Sequence, residues 1–114
     1  MFYQVRIYKL CNDYDSTIYI GSTKQTLSQR LKNHKRYSKT STKYPVHNYI
    51  LNNDGWNQWK IVLIKLVLVK SREEQLKEEQ NEIDKLKHDN NYILLNHRNA
   101  IGRDQIKKNK SNKK

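Results

Sequence analysis

Five residues of this chain carry the groups that acid, base and anion chemistry uses: Tyr8, Tyr19, Arg30, His34 and Glu79. Tyr8 and Tyr19 sit in stretches of alternating apolar residues. If Ile7, Ile18 and Ile20 face a core, the two-residue period of a strand turns both phenols to the opposite face. The chain has eight tyrosines, and any one of them is an ordinary strand residue, so the pair says little alone. Arg30 and His34 stand one helical turn apart and can overhang the same surface. Glu79 is more informative, because Leu76, Ile83 and Leu86 define an apolar helical stripe and Glu79 falls on it. A carboxylate on such a stripe costs several kcal/mol to bury unless it meets an arginine, a lysine or a divalent cation; the plain alternative is a solvated face beside Lys77 and Lys85. Together the set offers a general base, a cation for a phosphorane-like transition state and a hard oxygen ligand for a metal, which are the parts of phosphodiester hydrolysis.

Composition bounds the partners of these groups. The 114 residues carry a formal net charge of +12, spread along the whole length, which favours a polyanion over a small acidic substrate. The longest apolar stretch, Trp59 to Val69, is interrupted by Lys60 and Lys65 and is far too short to span a membrane. Met1 to Leu10 alternates polar residues and does not resemble a signal peptide, so the expectation is an intracellular protein, cytoplasmic or nuclear and not secreted. Cys11 is alone, which excludes an internal disulfide or a multi-cysteine zinc site, and the four histidines lack ligand spacing. Arg103 to Lys114 has six basic residues against Asp104 alone and almost nothing apolar, and reads as a disordered basic tail after a single domain over 1–102. Candidate phosphate contacts are Lys24, Lys32, Lys35, Arg36, Arg98, Arg103, Lys107 and Lys108. A binding module without turnover is the competing reading, because charge and exposed aromatics alone bind phosphate.

The elements that position these residues follow from pattern. Phe2 to Leu10 alternates and predicts a strand. Asn12, Asp13 and Asp15 supply a turn, and Thr17 to Ile20 a second strand that Gly21 ends. Thr26 caps a helix to about Tyr37; Ser38 to Lys43 is a connector; Pro45 opens a helix to Asn53 that Asp54 and Gly55 end. The near-continuous apolar run of Trp59 to Val69 predicts a strand buried on both faces at the centre of the sheet. Ser71 caps a long helix to about Asp89, and Tyr92 to Asn96 returns extended to the core.

The chain resembles the GIY-YIG nuclease family. Arg6-Ile7-Tyr8 and, ten residues later, Tyr19-Ile20-Gly21 look like the two halves of its signature. Arg30, His34, the segment Glu79-Gln80-Asn81-Glu82-Ile83 and Asn96 follow in the family's order, over about residues 3 to 101; Arg6 stands where the family has its first glycine. The resemblance implies a small α/β sandwich around a three-stranded antiparallel sheet, in the order β-β-α-α-β-α, and hydrolysis of DNA. It also implies one divalent metal, Mg²⁺ or Mn²⁺, at Glu79, with no small-molecule cofactor. It gives catalytic roles to Tyr8, Tyr19, Arg30, His34, Glu79 and Asn96 without saying which tyrosine is the base. That base needs a phenol pKa lowered by neighbours such as Lys24, Arg30 or the metal.

Overall fold

The structure is a computed structural model and describes residues 1–40, 44–53 and 55–96. The reading of 103–114 as a tail, and the candidates Arg98, Arg103, Lys107 and Lys108, lie outside the described residues. Among the described residues three α-helices and a four-stranded sheet form a sandwich in the chain order β1 (Tyr3–Asn12), β2 (Thr17–Thr23), α1 (Leu27–Thr40), α2 (Pro45–Asn52), β3 (Trp59–Val69), α3 (Arg72–Lys87), β4 (Ile93–Leu94). A 3-10 turn, Gly55–Gln58, joins α2 to β3, and Gly55 at φ 76° takes the left-handed backbone that glycine adopts without a Cβ penalty.

The strand order is β3-β1-β2-β4. The first three strands are antiparallel, as the sequence predicts; the Tyr92 to Asn96 segment adds a fourth, two-residue strand parallel to β2, pairing Thr17 with Ile93 and Ile18 with Leu94. The centre of the sheet is β1 and not Trp59 to Val69. In β1 the alternation serves both faces: Val5 and Ile7 enter one core with Ile18, Ile20, Val69 and Ile83, while Tyr8 and Leu10 enter the other with Val46, Ile50, Trp59 and Leu95. β3 is an edge strand, with Leu63, Leu66 and Leu68 exposed. Its apolar run reads as two-sided burial, yet pairing and not hydropathy decides position: the β1–β2 hairpin leaves one β1 edge free, and β3 fills it along its whole length. A register shift opposite Ile7 and Tyr8 inserts Ile64, and this bulge together with Lys60 and Lys65 blunts the outer edge.

Two further boundaries move. β2 runs through Gly21 to Thr23, because Gly21 pairs with Tyr8 in the ladder and does not break it. α1 continues to Thr40, so the connector begins three residues later than the sequence suggests. The caps stand where expected: the Thr26 hydroxyl accepts from the Gln29 N–H at 3.2 Å, Ser71 Oγ accepts from the Glu74 N–H at 3.2 Å, and Pro45 opens α2.

Candidate active site

Adjacent residues of β2 serve opposite faces of the sheet, and the site is built around that alternation. Gly21 lies on the α1 and α2 face, directly across from Tyr8, and a Cβ there would collide with the Tyr8 ring and hydroxyl. Only glycine leaves the phenol its place. Ser22, the next residue, pairs with Ile7 and turns toward α3.

On the first face Tyr8 is fully buried, and its hydroxyl is the hub of a polar chain. Arg30, half-buried on α1, donates from Nε to Tyr8 Oη at 3.1 Å. His34, one turn further along α1, places Nε2 2.8 Å from the same oxygen. The other ring nitrogen, Nδ1, lies 2.9 Å from His47 Nε2 on α2, and His47 Nδ1 is buried without a partner among the described residues. The i, i+4 spacing read from the sequence therefore does place Arg30 and His34 over the tyrosine face. Tyr19 shares that face, with its ring edge-on to His34 at 6.0 Å.

Burial governs the protonation states. It depresses His34 to about 3 and His47 to about 4, helped in both by the Arg30 charge, so both imidazoles are neutral near pH 7. A neutral His34 flanked by a phenol can accept the phenolic proton at Nε2, which puts its own hydrogen on Nδ1, toward His47. Burial also raises Tyr8 to about 12, against the lowering by the Arg30 charge and hydrogen bond, and raises Tyr19 further. The expectation of a lowered phenol pKa is thus overturned: desolvation outweighs one neighbouring cation. Lys24 takes no part, because it is exposed over the Tyr3 ring at 4.5 Å.

On the other face Glu79 is half-buried on α3 and accepts from Ser22 Oγ at 2.6 Å through Oε1. Ser22 Oγ in turn accepts from Gln75 Nε2 at 2.9 Å. Burial raises the Glu79 pKa, opposed by the Ser22 bond and by the charges of Arg72 and Arg30. Glu79 in turn raises both tyrosines, so the two faces share one electrostatic field. The stripe of α3 is shifted from the expected one: Gln75, Glu82 and Ile83 are its buried residues, and Leu76 is only half-buried. Among the described residues Glu79 makes no ion pair, and no group of three or more His, Cys, Asp and Glu could hold a metal ion.

Residues 4–93 match the family model of the GIY-YIG catalytic domain. The chain belongs to the GIY-YIG family. No curated protein and no solved structure matches it significantly. Membership makes it a member of a nuclease family that generally uses divalent metals. Arg6, at the family's first glycine, donates from Nη1 to the Gln25 carbonyl at 3.2 Å. Asn96, three residues past the matched span, fixes backbone: its amide accepts from the Ile20 N–H at 2.9 Å and donates to the Ile20 carbonyl at 2.8 Å, lengthening the short β2–β4 ladder. Lys32, Lys35 and Arg36 are exposed along α1, with Arg36 stacked over Tyr37 at 5.6 Å. No helix among the described residues is long and apolar enough to cross a membrane.

Three residues of the site escape sequence reasoning: His47, Ser22 and Gln75. His47 lies thirteen positions after His34 in another helix, at no local spacing. Gln75, at i−4 from Glu79, was the one with a signal, a polar residue repeating the Glu79 position one turn earlier.

Proposed function

We propose that this protein is a divalent-metal-dependent DNA endonuclease that hydrolyses phosphodiester bonds. The observation that carries the reading is the Tyr8 hydroxyl held between Arg30 Nε and a neutral His34 Nε2, within the field of a carboxylate that has no ion pair among the described residues. Tyr8 is the better base of the two tyrosines, because its proton has an acceptor: as Tyr8 Oη takes a proton from the attacking water, its own proton passes to His34 Nε2, and the His34 Nδ1 hydrogen already points at His47. Arg30, whose Nε is committed to Tyr8, has its terminal nitrogens left for a phosphate oxygen and offsets negative charge that grows in the transition state. Tyr19 packs against His34 and keeps that ring edge-on.

Glu79 is the residue that would hold the cation. The fit is sound for a hard ion such as Mg²⁺ or Mn²⁺, which keeps several waters and needs only one or two carboxylates beside substrate oxygens. One oxygen of Glu79 is held by a neutral hydroxyl and the carboxylate makes no ion pair among the described residues, which leaves it able to take a cation. When bound, the ion polarises the scissile phosphate and offsets charge on the leaving oxygen. Lys32, Lys35 and Arg36, in line on the exposed side of the helix that carries Arg30, would follow the phosphate backbone. Asn96 acts by holding Ile20, and with it the Tyr19-Ile20-Gly21 segment, in register.

Incubating purified protein with supercoiled plasmid and Mg²⁺ or Mn²⁺, with and without a chelator, tests the reading. Metal-dependent nicking or linearisation supports it; tight binding with no cleavage in either metal makes the protein a binding module.

A further inference from the structure

Gln75 is 2% exposed on the buried side of α3, next to an aliphatic core, and its buried carbonyl oxygen Oε1 has no hydrogen-bond partner among the described residues. Its Nε2 donates to Ser22 Oγ at 2.9 Å, and that oxygen stands 2.6 Å from Glu79 Oε1. A hydroxyl owns one hydrogen. With a lone pair of Ser22 taken by the amide, that hydrogen is committed to the carboxylate. Turning the amide around would set two acceptors against one hydrogen and strand the Nε2 donor, so the carboxylate fixes the orientation of both neighbours. A leucine or methionine of similar volume would fill the site without an orphaned acceptor, so Gln75 is a poor core residue on packing grounds.

We propose that Gln75 is a positioning residue for Glu79, acting through Ser22. It fixes the direction of the Ser22 hydroxyl, the hydroxyl pins Oε1, and the second carboxylate oxygen is thereby presented in one orientation to a divalent cation. The proposal rests on the reading of Glu79 as the metal ligand. Glu79 has several rotatable bonds on a half-buried helix flank, and a carboxylate held at one oxygen loses that freedom before the ion arrives.

The test follows Mn²⁺ binding to the DNA-free protein by the electron paramagnetic resonance of the free ion, beside the thermal midpoint and single-turnover plasmid cleavage. Gln75→Leu is expected to keep or raise the midpoint while weakening Mn²⁺ binding about 10- to 100-fold, the range typical of partners that orient a metal ligand. Cleavage should fall in step. Ser22→Ala is expected to do the same, and Gln75→Leu added to Ser22→Ala should cost nothing more, because the two act in series. Ser22→Thr, which keeps the hydroxyl, should retain binding. A lower midpoint with wild-type Mn²⁺ affinity overturns the proposal and leaves Gln75 a structural residue; additive losses overturn it by showing a separate route. Gln75→Met gives the same readings if the leucine variant does not fold. If Glu79→Gln itself binds Mn²⁺ and cleaves like wild type, it is the metal-ligand reading that fails; if Glu79→Gln is defective and Gln75→Leu is not, only the role of Gln75 fails.

Discussion

Glu79 and Glu82 lie within one turn of α3 and meet burial in opposite ways. Glu82 has Lys65 Nζ and Lys85 Nζ each at 3.0 Å, and these bonds outweigh the upward push of burial and hold its pKa below the usual carboxylate range. Glu79, offered only a neutral hydroxyl at bonding distance, has its pKa raised by burial. The first arrangement is a satisfied ion pair tying α3 to β3. The second leaves the carboxylate without an ion pair among the described residues, with the charges of Arg72 and Arg30 acting on it from beyond ion-pair distance. Burial alone does not separate the two carboxylates; an ion pair, present at Glu82 and absent at Glu79 among the described residues, does.

The sharpest way to break this contrast is to neutralise each carboxylate. Glu79→Gln is expected to lose at least about 10³-fold in single-turnover cleavage, with a thermal midpoint no lower than wild type. A Glu79→Gln protein that cleaves at the wild-type rate would exchange the roles or abolish them. Arg30→Lys comes next. A point charge cannot hold Tyr8 through Nε and reach a phosphate with a planar fork at once, so cleavage at saturating DNA should drop about 10²- to 10³-fold while binding changes little. Weaker binding with an unchanged saturated rate would move Arg30 to the docking surface.

Gly21→Ala tests the ladder between the two faces. Its Cβ meets the Tyr8 phenol head-on, so it should cost about 1 to 3 kcal/mol in a denaturant titration and reduce cleavage by displacing the hydroxyl from Arg30. An alanine variant of full stability and activity would show that the Tyr8 position is soft.

The pH dependence of stability separates the histidine face from the carboxylate face. His34 and His47 have folded values near 3 and 4 against about 6.5 unfolded, so between those limits the unfolded chain binds more protons and stability falls as pH is lowered. Each contributes a slope of up to about 1.4 kcal/mol per pH unit. Glu79, with its pKa raised, acts in the opposite direction, and Glu82, with its pKa lowered, adds loss only at more acid pH. His34→Gln should therefore flatten the curve between about pH 6.5 and 4; an unchanged slope would mean that His34 is charged in the native state. The smallest effect is expected from Glu82→Gln, about 1 kcal/mol of stability with cleavage within a few-fold of wild type, because Lys65 keeps Glu78 at 3.4 Å and both lysines reach water.

Much of this site is legible in sequence because its geometry is local. Alternation fixes the common face of Tyr8 and Tyr19, a four-residue step aligns Arg30 with His34, and Ser71 and Thr26 mark their helix starts by hydroxyl chemistry. These depend on the period of one strand or one helix turn. The apolar run of β3 misplaces the central strand for the converse reason: it reports side-chain character, whereas the edge position comes from pairing along the β1 edge that β2 leaves free.

What the sequence by itself determines is therefore the element order, the helix caps, the shared face of the tyrosines and the presence of a carboxylate on a mostly buried helix side. Only the tertiary structure decides that His47 continues the chain from His34, that Ser22 and Gln75 hold Glu79 while Lys65 and Lys85 take Glu82, and that desolvation outweighs Arg30 at the phenols. Those outcomes join residues from elements distant in the chain, and their energies depend on water excluded and on distances of about 3 Å that no spacing along the chain encodes.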